Sequence, residues 1–194
     1  MVPFIGLTGG IGSGKTTALR ALEKLGAAGL STDQVVHELY ESAEVADAVQ
    51  ARFGDEVIRD GVIDRPAVAQ EAFASPDRRQ WLEQLLWPRV GARIAAWRQE
   101  LNALPQPPRA AVVEVPLLFE AGMESAFDCT LAVIADEGLR HQRASGRGHQ
   151  ALDERGARQL SQEEKAQRAT YSVLNDGTEA ELVAKLSAIL DMLG

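Results

Sequence analysis

The residues with the clearest chemical potential are eight consecutive ones near the N-terminus, Gly9-Gly10-Ile11-Gly12-Ser13-Gly14-Lys15-Thr16. The pattern Gly-x-x-x-x-Gly-Lys-Thr is that of a phosphate-binding loop (P-loop) when it joins a strand to a helix. Its glycines let the backbone approach a phosphate, and successive N–H groups at a helix start attract anions. Lys15 would add a positive charge at the β- and γ-phosphates, and the Thr16 hydroxyl would ligate Mg²⁺. The plain alternative is a glycine-rich turn with no ligand.

The sequence on both sides of the loop supplies the elements that this motif needs. Phe4-Ile5-Gly6-Leu7 is a short apolar run that predicts a buried strand. After the loop, Leu19, Leu22 and Leu25 recur on one helical face, and Gly26 is suited to end the helix. The strand–loop–helix context therefore favours a P-loop over a turn without a ligand.

Two acidic residues follow predicted strands. Asp33 comes just beyond a weak strand at 27–30, where ligands sit in open parallel sheets, but it could instead only cap the next helix. Glu114 lies in the clearest strand, 110–115, and could sit beside Mg²⁺ or its waters. Its alternative is an acid at the sheet edge that pairs with a lysine or arginine. Spacing alone leaves both pairs of alternatives open.

Basic residues are concentrated in one later segment. A helix that starts at 136–138 carries Arg140, Arg143 and Arg147 on one face, and Gly146 and Gly148 interrupt it. A solvated basic face is the common alternative. We expect instead a mobile lid that brings arginines to phosphates, because the cluster stands out in an acidic chain and glycines flank it.

The remaining segments are predicted to frame these residues. Residues 44–104 read as mostly helix, with helix starts at Asp64-Arg65-Pro66 and Ser75-Pro76-Asp77. Pro88 is expected to kink or break the helix in which it lies. After strands near 129–135 and 172–174, a last helix carries an apolar stripe. The helical insertion predicts a subdomain that covers a substrate.

Composition limits the classes of protein that fit. A chain of 194 residues with 45% hydrophobic and 25% charged residues fits one compact globular domain. Its net charge of -8 disfavours nonspecific binding to nucleic acid or anionic membranes. There is no apolar run long enough for a membrane span and no secretory signal pattern, and the single Cys129 lies in an apolar run that predicts burial. We therefore expect a cytoplasmic protein.

A P-loop predicts nucleotide binding but leaves the reaction open. A GTPase switch should carry Asn-Lys-x-Asp, which this chain lacks. A multi-subunit ATPase is usually larger. A small-molecule kinase needs an acid near the acceptor hydroxyl, an acceptor subdomain and a cationic lid, and the chain offers these in that order. A nucleotide-gated binding protein with little turnover remains an alternative.

At these residues the chain resembles the dephospho-CoA kinases, the last enzymes of coenzyme A synthesis. The resemblance runs over nearly the whole length. It rests on residues 7–15, Thr32-Asp33-Gln34-Val35-Val36-His37, Phe53-Gly54, Asp60-Gly61, Ile63-Asp64-Arg65, Val115-Pro116-Leu117-Leu118-Phe119-Glu120, Arg143, Arg147 and Asn175-Asp176-Gly177.

The resemblance implies an α/β P-loop kinase fold with a five-stranded parallel sheet core, a helical substrate-binding subdomain and a lid. We place the core at about 1–40, 108–137 and 170–194, the subdomain at about 41–107 and the lid at about 138–169. The implied reaction transfers the γ-phosphoryl group of ATP, with Mg²⁺, to the ribose 3′-hydroxyl of dephospho-CoA. We expect no nucleic-acid or membrane partner, and a monomer or small homo-oligomer. Another nucleoside or nucleotide kinase is the alternative enzyme.

The resemblance also implies roles for individual residues. The expected catalytic residues are Asp33, Lys15, Arg143 and Arg147. The expected nucleotide contacts are Gly9, Gly10, Ile11, Gly12, Ser13, Gly14, Lys15, Thr16, Thr17 and Asn175. The expected acceptor contacts are Asp33, His37, Pro116, Leu117, Leu118 and Glu120. The expected Mg²⁺ contacts are Thr16 and Glu114.

Three positions depart from the family pattern. Ser31 replaces the first acid of an Asp-Ala-Asp segment, and Trp87 replaces the histidine of a His-Pro pair, which puts a substrate-side histidine contact in question. Thr170 replaces the aspartate before the last strand, which bears on how the preceding helix is tied to the sheet.

Overall fold

The structure is a computed structural model of the chain and describes residues 1–145 and 159–194. It divides into two compact units, one made of 1–31 with 98–194 and the other of 32–97. The helical subdomain is predicted to run from about 41 to 107, so both of its predicted limits lie further along the chain than the limits of the second unit, 32 and 97. The predicted lid includes residues outside the described ranges, and Arg147 is one of them.

The chain intersperses strands and helices, as α/β proteins do. In chain order they are β1 (Phe4–Gly9), α1 (Lys15–Lys24), β2 (Ala28–Ser31), α2 (Thr32–Glu41), α3 (Ala43–Phe53), β3 (Ile58–Arg59), β4 (Val62–Ile63), α4 (Arg65–Phe73), α5 (Pro76–Asn102), β5 (Ala111–Glu114), β6 (Cys129–Ile134), α6 (Glu137–Ser145), α7 (Gln162–Arg168), β7 (Tyr171–Leu174) and α8 (Glu179–Leu193). Among the described helices none is long and apolar enough to cross a bilayer.

The first unit is built on a five-stranded sheet in the order β2-β5-β1-β6-β7, and every neighbouring pair is parallel. Strands β1 and β5 are buried along their whole length, as continuous apolar runs in parallel sheets usually are. The predicted five-stranded parallel sheet is confirmed. Because the strands are parallel, the carboxyl ends of β1, β5 and β6 meet at one edge of the sheet.

Helices α1 and α8 pack on this sheet through the apolar faces that the sequence predicts. Leu19 and Leu22 of α1 and Leu186 and Leu190 of α8 belong to one buried cluster with the strands. Cys129 is buried in the same cluster, and burial raises the pKa of its thiol. This core therefore holds in place the strand ends that form the carboxyl edge of the sheet.

The second unit is helical with one small hairpin that the sequence analysis did not foresee. Strands β3 and β4 pair antiparallel around the turn at Asp60 and Gly61, whose φ angles are 53° and 79°. An Asp-Gly pair is a strong hairpin signal because both turn residues need positive φ. The predicted cap-and-proline helix starts are confirmed, since Asp64 caps α4 and the Ser75 hydroxyl accepts from the Arg78 amide before α5.

The prediction that Pro88 breaks its helix is wrong, because α5 is 27 residues long and runs through it, while a kink at Pro88 stays a prediction. Proline removes one backbone donor and crowds the preceding turn, which usually costs about 3 kcal/mol inside a helix. Here the Arg89 guanidinium donates to the Leu85 carbonyl over 2.6 Å. A side chain thus supplies a hydrogen bond to the turn that proline disturbs.

A buried ion pair joins α7 to the loop after β5. Lys165 is fully buried, and its Nζ lies 3.0 Å from the Glu120 Oε1 atom and donates to the Pro116 carbonyl over 2.7 Å. Glu120 Oε1 also accepts from the Leu160 amide over 2.8 Å. Burial lowers the pKa of Lys165, while the hydrogen bond to Glu120 opposes that shift. The pair therefore anchors residues 160–165 to the carboxyl edge of the sheet.

We predict that Lys165→Met lowers the free energy of unfolding by about 3–5 kcal/mol, because it leaves the Glu120 carboxylate buried without a cation. The double variant Lys165→Met/Glu120→Leu should recover much of that loss, since it removes both charges. Urea denaturation of the three proteins measures the effect. As a surface control, Lys24→Met removes an exposed pair with Glu179 and should change the free energy far less. An equally small change for Lys165→Met would contradict the prediction.

Candidate active site

The P-loop runs from the end of β1 to the start of α1, in the position that the motif predicts. Gly12 and Gly14 have φ angles of 77° and 93°, and Gly14 is the N-cap of α1. Residues with a Cβ rarely adopt such angles. The first turn of α1 therefore begins directly at the loop, and the N–H groups of a first helical turn can hold an anion.

Lys15 bends back over the loop that precedes it. Its Nζ donates to the carbonyl oxygens of Gly9 and Gly10, each over 3.1 Å. An ammonium group has three N–H donors and no acceptor, so it can exchange these carbonyls for phosphate oxygens. The structure thus places the Lys15 charge inside the curve of the P-loop.

Asn175 holds the P-loop from the end of β7. Its buried side-chain Nδ2 donates to the Ser13 carbonyl over 2.8 Å, and a Cβ on Gly14 would lie 2.2 Å from that nitrogen. The backbone carbonyl of Asn175 accepts from Arg143 Nη1 over 3.1 Å. The nucleotide contact expected of Asn175 stays a prediction. The structure shows that its side-chain amide supports the loop.

Ser13 contributes an unusual hydroxyl to the site. The residue is fully buried, and its Oγ makes no hydrogen bond in the part of the chain that the structure describes. A buried hydroxyl without a partner is costly, so such an atom commonly has a ligand or an ordered water. The Oγ lies 2.6 Å from the place that a Cβ on Gly9 would take. A phosphate oxygen in the loop is a fitting partner for it.

Glu114 ends β5 beside the strand that enters the P-loop. In the register of the sheet it pairs with Leu7 of β1 on one side and with Ser31 of β2 on the other. Because β5 is an interior strand, Glu114 does not lie on an edge strand, and its contact with Mg²⁺ and its pairing with a lysine or arginine both stay predictions. Thr16, the other expected metal contact, lies in the first turn of α1 and is exposed.

Asp33 lies in the second unit, in the first turn of α2. The helix already begins at Thr32, so Asp33 is exposed within the helix rather than at its cap position. His37, one turn later, is also exposed, with its Nε2 3.8 Å from Glu41 Oε1. The structure brings both side chains to the surface of α2, and their contacts with an acceptor stay predictions.

The loop after β5 contains the other expected acceptor contacts. Leu118 is fully buried, and a Cβ on Gly6 would lie 2.5 Å from its Cδ1. Its packing under β1 argues against a substrate contact for its side chain. Pro116 and Glu120 hold Lys165 as described above, while Pro116 and Leu117 are half-buried and remain accessible. The loop after β5 therefore holds α7 through Lys165 and also leaves Pro116 and Leu117 partly accessible.

A cavity of about 780 Å³ opens beside the P-loop between α6, α7 and the ends of β6 and β7. Ile11, Ile134 and Leu174 supply apolar surface to it. Its charged lining residues are Asp136, Glu137, Arg140, Glu163 and Asp176. A mostly acidic lining disfavours a polyphosphate and suits a neutral ring with polar edges.

Thr170, one of the departures from the family pattern, pairs with Thr130 in β6. The Thr170 Oγ1 accepts from the Thr130 amide over 3.1 Å, and the Thr130 Oγ1 accepts from the Thr170 amide over 3.0 Å. Two threonines thus tie the end of the α7 segment to the sheet. Trp87, another departure, is 53% exposed on α5.

A sequence model of the dephospho-CoA kinase family matches residues 3–181, which is most of the chain. The chain belongs to the dephospho-CoA kinase family. Dephospho-CoA kinases from Deinococcus radiodurans and Moorella thermoacetica are 37% and 38% identical to it. These alignments cover 97% and 96% of this chain and 91% and 88% of the two relatives. The resemblance read from the motifs is thereby confirmed.

Solved structures agree on the fold. The crystal structure of TT1252 from Thermus thermophilus is 33% identical, with a TM-score of 0.81 and full coverage of both chains, 100% of each. A dephospho-CoA kinase from Campylobacter jejuni has a TM-score of 0.71 at 23% identity, covering 97% of this chain and 96% of its own. A shikimate kinase from Acinetobacter baumannii reaches 0.53 at 16% identity, covering 99% and 95%. The last two show the shared fold alone, that of P-loop kinases.

Two residues at the site escaped the sequence analysis. Arg140 was read only as part of a basic helix face, yet its Nε donates to the Ile11 carbonyl over 2.9 Å. Gln162 is buried and bonds both backbone groups of Ala135, over 2.9 and 2.8 Å. Arg140 could have been found from its helical spacing, because it shares a face with Arg143. No local pattern marks Gln162, since its partner is far away in the sequence.

We predict that Gly12→Ala abolishes most ATP binding of this family member. A Cβ at Gly12 would lie 2.4 Å from the Arg140 carbonyl oxygen, and its φ of 77° is strained for alanine. As the matched control, Gly91→Ala lies in α5 with nothing within 4 Å of the new Cβ. There, alanine should stabilise the helix by up to about 1 kcal/mol and leave ATP binding unchanged. Calorimetric titration with ATP and thermal melting test both, and normal ATP affinity in Gly12→Ala would refute the assignment.

Proposed function

We propose that this member of the dephospho-CoA kinase family transfers the γ-phosphoryl group of ATP to the ribose 3′-hydroxyl of dephospho-CoA, yielding coenzyme A and ADP. The observation that carries the proposal is the match to the dephospho-CoA kinase family over residues 3–181. The P-loop supports the phosphate side of the reaction, because Lys15 and the buried Ser13 hydroxyl can supply the positioning and charge stabilisation on which phosphoryl transfer mostly depends.

The phosphate side of the reaction falls to the P-loop and two arginines. The N–H groups of residues 9–16 would bind the β- and γ-phosphates, and Lys15 would release its two carbonyl partners to bind the transferring group. Arg143, already held at the Asn175 carbonyl, and Arg147 would stabilise the equatorial oxygens as negative charge spreads over them. Thr17, exposed in the first turn of α1, would contact the phosphates nearest the nucleoside.

Thr16 and Glu114 would hold Mg²⁺, the hydroxyl directly and the carboxylate directly or through water. Magnesium commonly takes only one or two protein ligands and completes its shell with water and phosphate oxygens. When bound, the ion supplies charge neutralisation at the phosphates. The placement of Glu114 at the end of an interior strand fits an acid at the phosphate side of the sheet edge.

We assign the acceptor contacts to individual residues of α2 and of the loop after β5. Asp33 would accept the proton of the 3′-hydroxyl or orient that hydroxyl for in-line attack. Its exposed carboxylate sits in the first turn of α2, where the helix dipole favours a negative charge. His37, Pro116, Leu117, Leu118 and Glu120 complete the proposed acceptor contacts, with Leu118 and Glu120 acting through the shape of the loop.

The nucleoside end of ATP would occupy the cavity next to the P-loop. An apolar wall with acidic edges suits a purine, whose exocyclic amine can donate to a carboxylate or a carbonyl. We place the reaction in the cytoplasm, with a monomer or small homo-oligomer that needs neither nucleic acid nor a membrane surface. The net charge of -8 supports the last point.

The direct test measures ADP release with ATP, Mg²⁺ and a panel of acceptors. Dephospho-CoA should be phosphorylated at least about a hundredfold faster than nucleosides or nucleoside monophosphates, a margin that selective polar contacts can supply. Lys15→Ala should abolish nearly all turnover while its thermal melt stays that of a folded protein. Preference for an ordinary nucleoside would indicate another small-molecule kinase, and binding without turnover would indicate a binding protein.

We predict that Asp33→Asn lowers kcat by at least about a hundredfold, the lower end of the range for general-base assistance. ATP affinity should be unchanged. The melting temperature should fall by no more than about 2–4 °C, because an exposed acid in a first helical turn contributes at most about 1 kcal/mol. Glu38→Gln removes an exposed charge from the same helix and is the control. A kcat within a few-fold of wild type would remove Asp33 from the chemistry and leave it with a role in the helix only.

A further inference from the structure

Arg140 is the one member of the basic helix face that touches the P-loop among the described residues. Its Nε donates to the Ile11 carbonyl over 2.9 Å. Its guanidinium also lies flat against Gly10, because a Cβ there would be 2.9 to 3.3 Å from Nη2, Cζ and Nε. The backbone of Arg140 closes the space beside Gly12 in the same way. One residue of α6 thus abuts the first half of the loop from outside.

The hydrogen bond from Arg140 to the Ile11 carbonyl orients the whole Ile11–Gly12 peptide. The Ile11–Gly12 peptide is trans, and in a planar trans peptide the C=O and N–H bonds point in opposite directions. When Arg140 holds the Ile11 oxygen outward, the Gly12 N–H is turned away from Arg140. Rotation of this peptide changes ψ of Ile11 and φ of Gly12, and Gly12 tolerates most φ angles. Without an outside donor, this peptide could rotate and point its oxygen at the phosphate site.

The second half of the loop has the same construction. Asn175 donates to the Ser13 carbonyl from another element, and the following N–H is that of Gly14. The two external donors therefore act on alternate peptides, Ile11–Gly12 and Ser13–Gly14. Both turn an N–H of a glycine to the side opposite the donor. This regularity points to orientation of peptides rather than to incidental packing.

We propose that Arg140 is a positioning residue of the P-loop, which orients the Gly12 N–H toward the β-phosphate by holding the Ile11 carbonyl from the other side. This inference rests on the proposed nucleotide site but not on the identity of the acceptor. Arg140 acts through its Nε donor, and its positive charge is secondary. Since the β-phosphate is common to ATP and ADP, both nucleotides depend on the contact equally, and adenosine does not.

Three substitutions separate the donor from the charge. Arg140→Gln places its amide Nε2 the same number of bonds from Cα as the arginine Nε, so it keeps the donor without the charge. Arg140→Lys keeps the charge but has a methylene group at that position, and Arg140→Met has neither. Calorimetric titration with ADP, ATP and adenosine in the presence of Mg²⁺ gives the affinities without any acceptor.

The proposal predicts affinities for ADP and ATP near wild type in Arg140→Gln. They should be about ten- to a hundredfold weaker in Arg140→Lys and Arg140→Met, the effect of losing one hydrogen bond to a charged group. Adenosine affinity should stay the same in all three. His141→Ala, an exposed residue of the same helix, is the control and should match wild type in every titration.

Two results would overturn the proposal. Near-normal affinity in Arg140→Lys with weak binding in Arg140→Gln would show that the charge acts directly on phosphate. Unchanged affinities in all three variants, whatever their melting temperatures, would reduce Arg140 to packing. Failure of dephospho-CoA as acceptor would appear only in the turnover assay, so the two hypotheses can fail separately.

Discussion

The site depends on a constraint of the peptide group. A loop that binds phosphate must turn successive N–H groups inward, and each carbonyl that consequently points outward into the protein needs a donor of its own. In this chain the donors come from separate elements. Arg140 serves Ile11 from α6, and Asn175 serves Ser13 from the end of β7. The conformation of the P-loop therefore depends on residues of several elements along the carboxyl edge of the sheet.

The order of strands explains how distant residues reach the loop. Strand β1 lies at the centre of the sheet with β6 and then β7 on one side of it, so the segments after all three strands meet. Gln162 bonds the backbone at the end of β6, and the Asp136 amide donates to Asp176 over 2.6 Å. The Lys165–Glu120 ion pair attaches α7 to the loop after β5. Buried polar pairs of this kind add little net stability, but they favour one arrangement over alternatives because an unpaired member is so costly.

The sequence allows the local parts of this architecture to be predicted, and the reasons for success and failure are physical. The P-loop, the strands around it and the cap of α4 depend on patterns within a few residues, and each is found in the structure. The hairpin at Asp60-Gly61 was missed although its turn signal is local, because its strands have only two residues each. Pro88 did not end its helix, and the neighbouring Arg89 side chain bonds the Leu85 carbonyl in the preceding turn. The partners of Arg140 and Lys165 could not be assigned, since they lie more than 40 residues away in the chain, although helical spacing marks Arg140 as one of the basic face.

The acidic chain holds several positively charged side chains at the carboxyl edge of its sheet. The chain carries a net charge of -8, yet Lys15, Arg140, Arg143 and Lys165 all attach to the same sheet edge through bonds to backbone carbonyls. Burial lowers the pKa of Lys165, and Arg140 adds to the shift by charge repulsion. Lys165 is balanced by the Glu120 carboxylate, whereas Lys15 and Arg143 bring positive charge to the side of the edge where the P-loop lies. A bound polyphosphate gains attraction from these charges, and a neutral ligand does not. An acidic protein with a local cationic edge therefore selects polyphosphates without attracting polyanions over its whole surface.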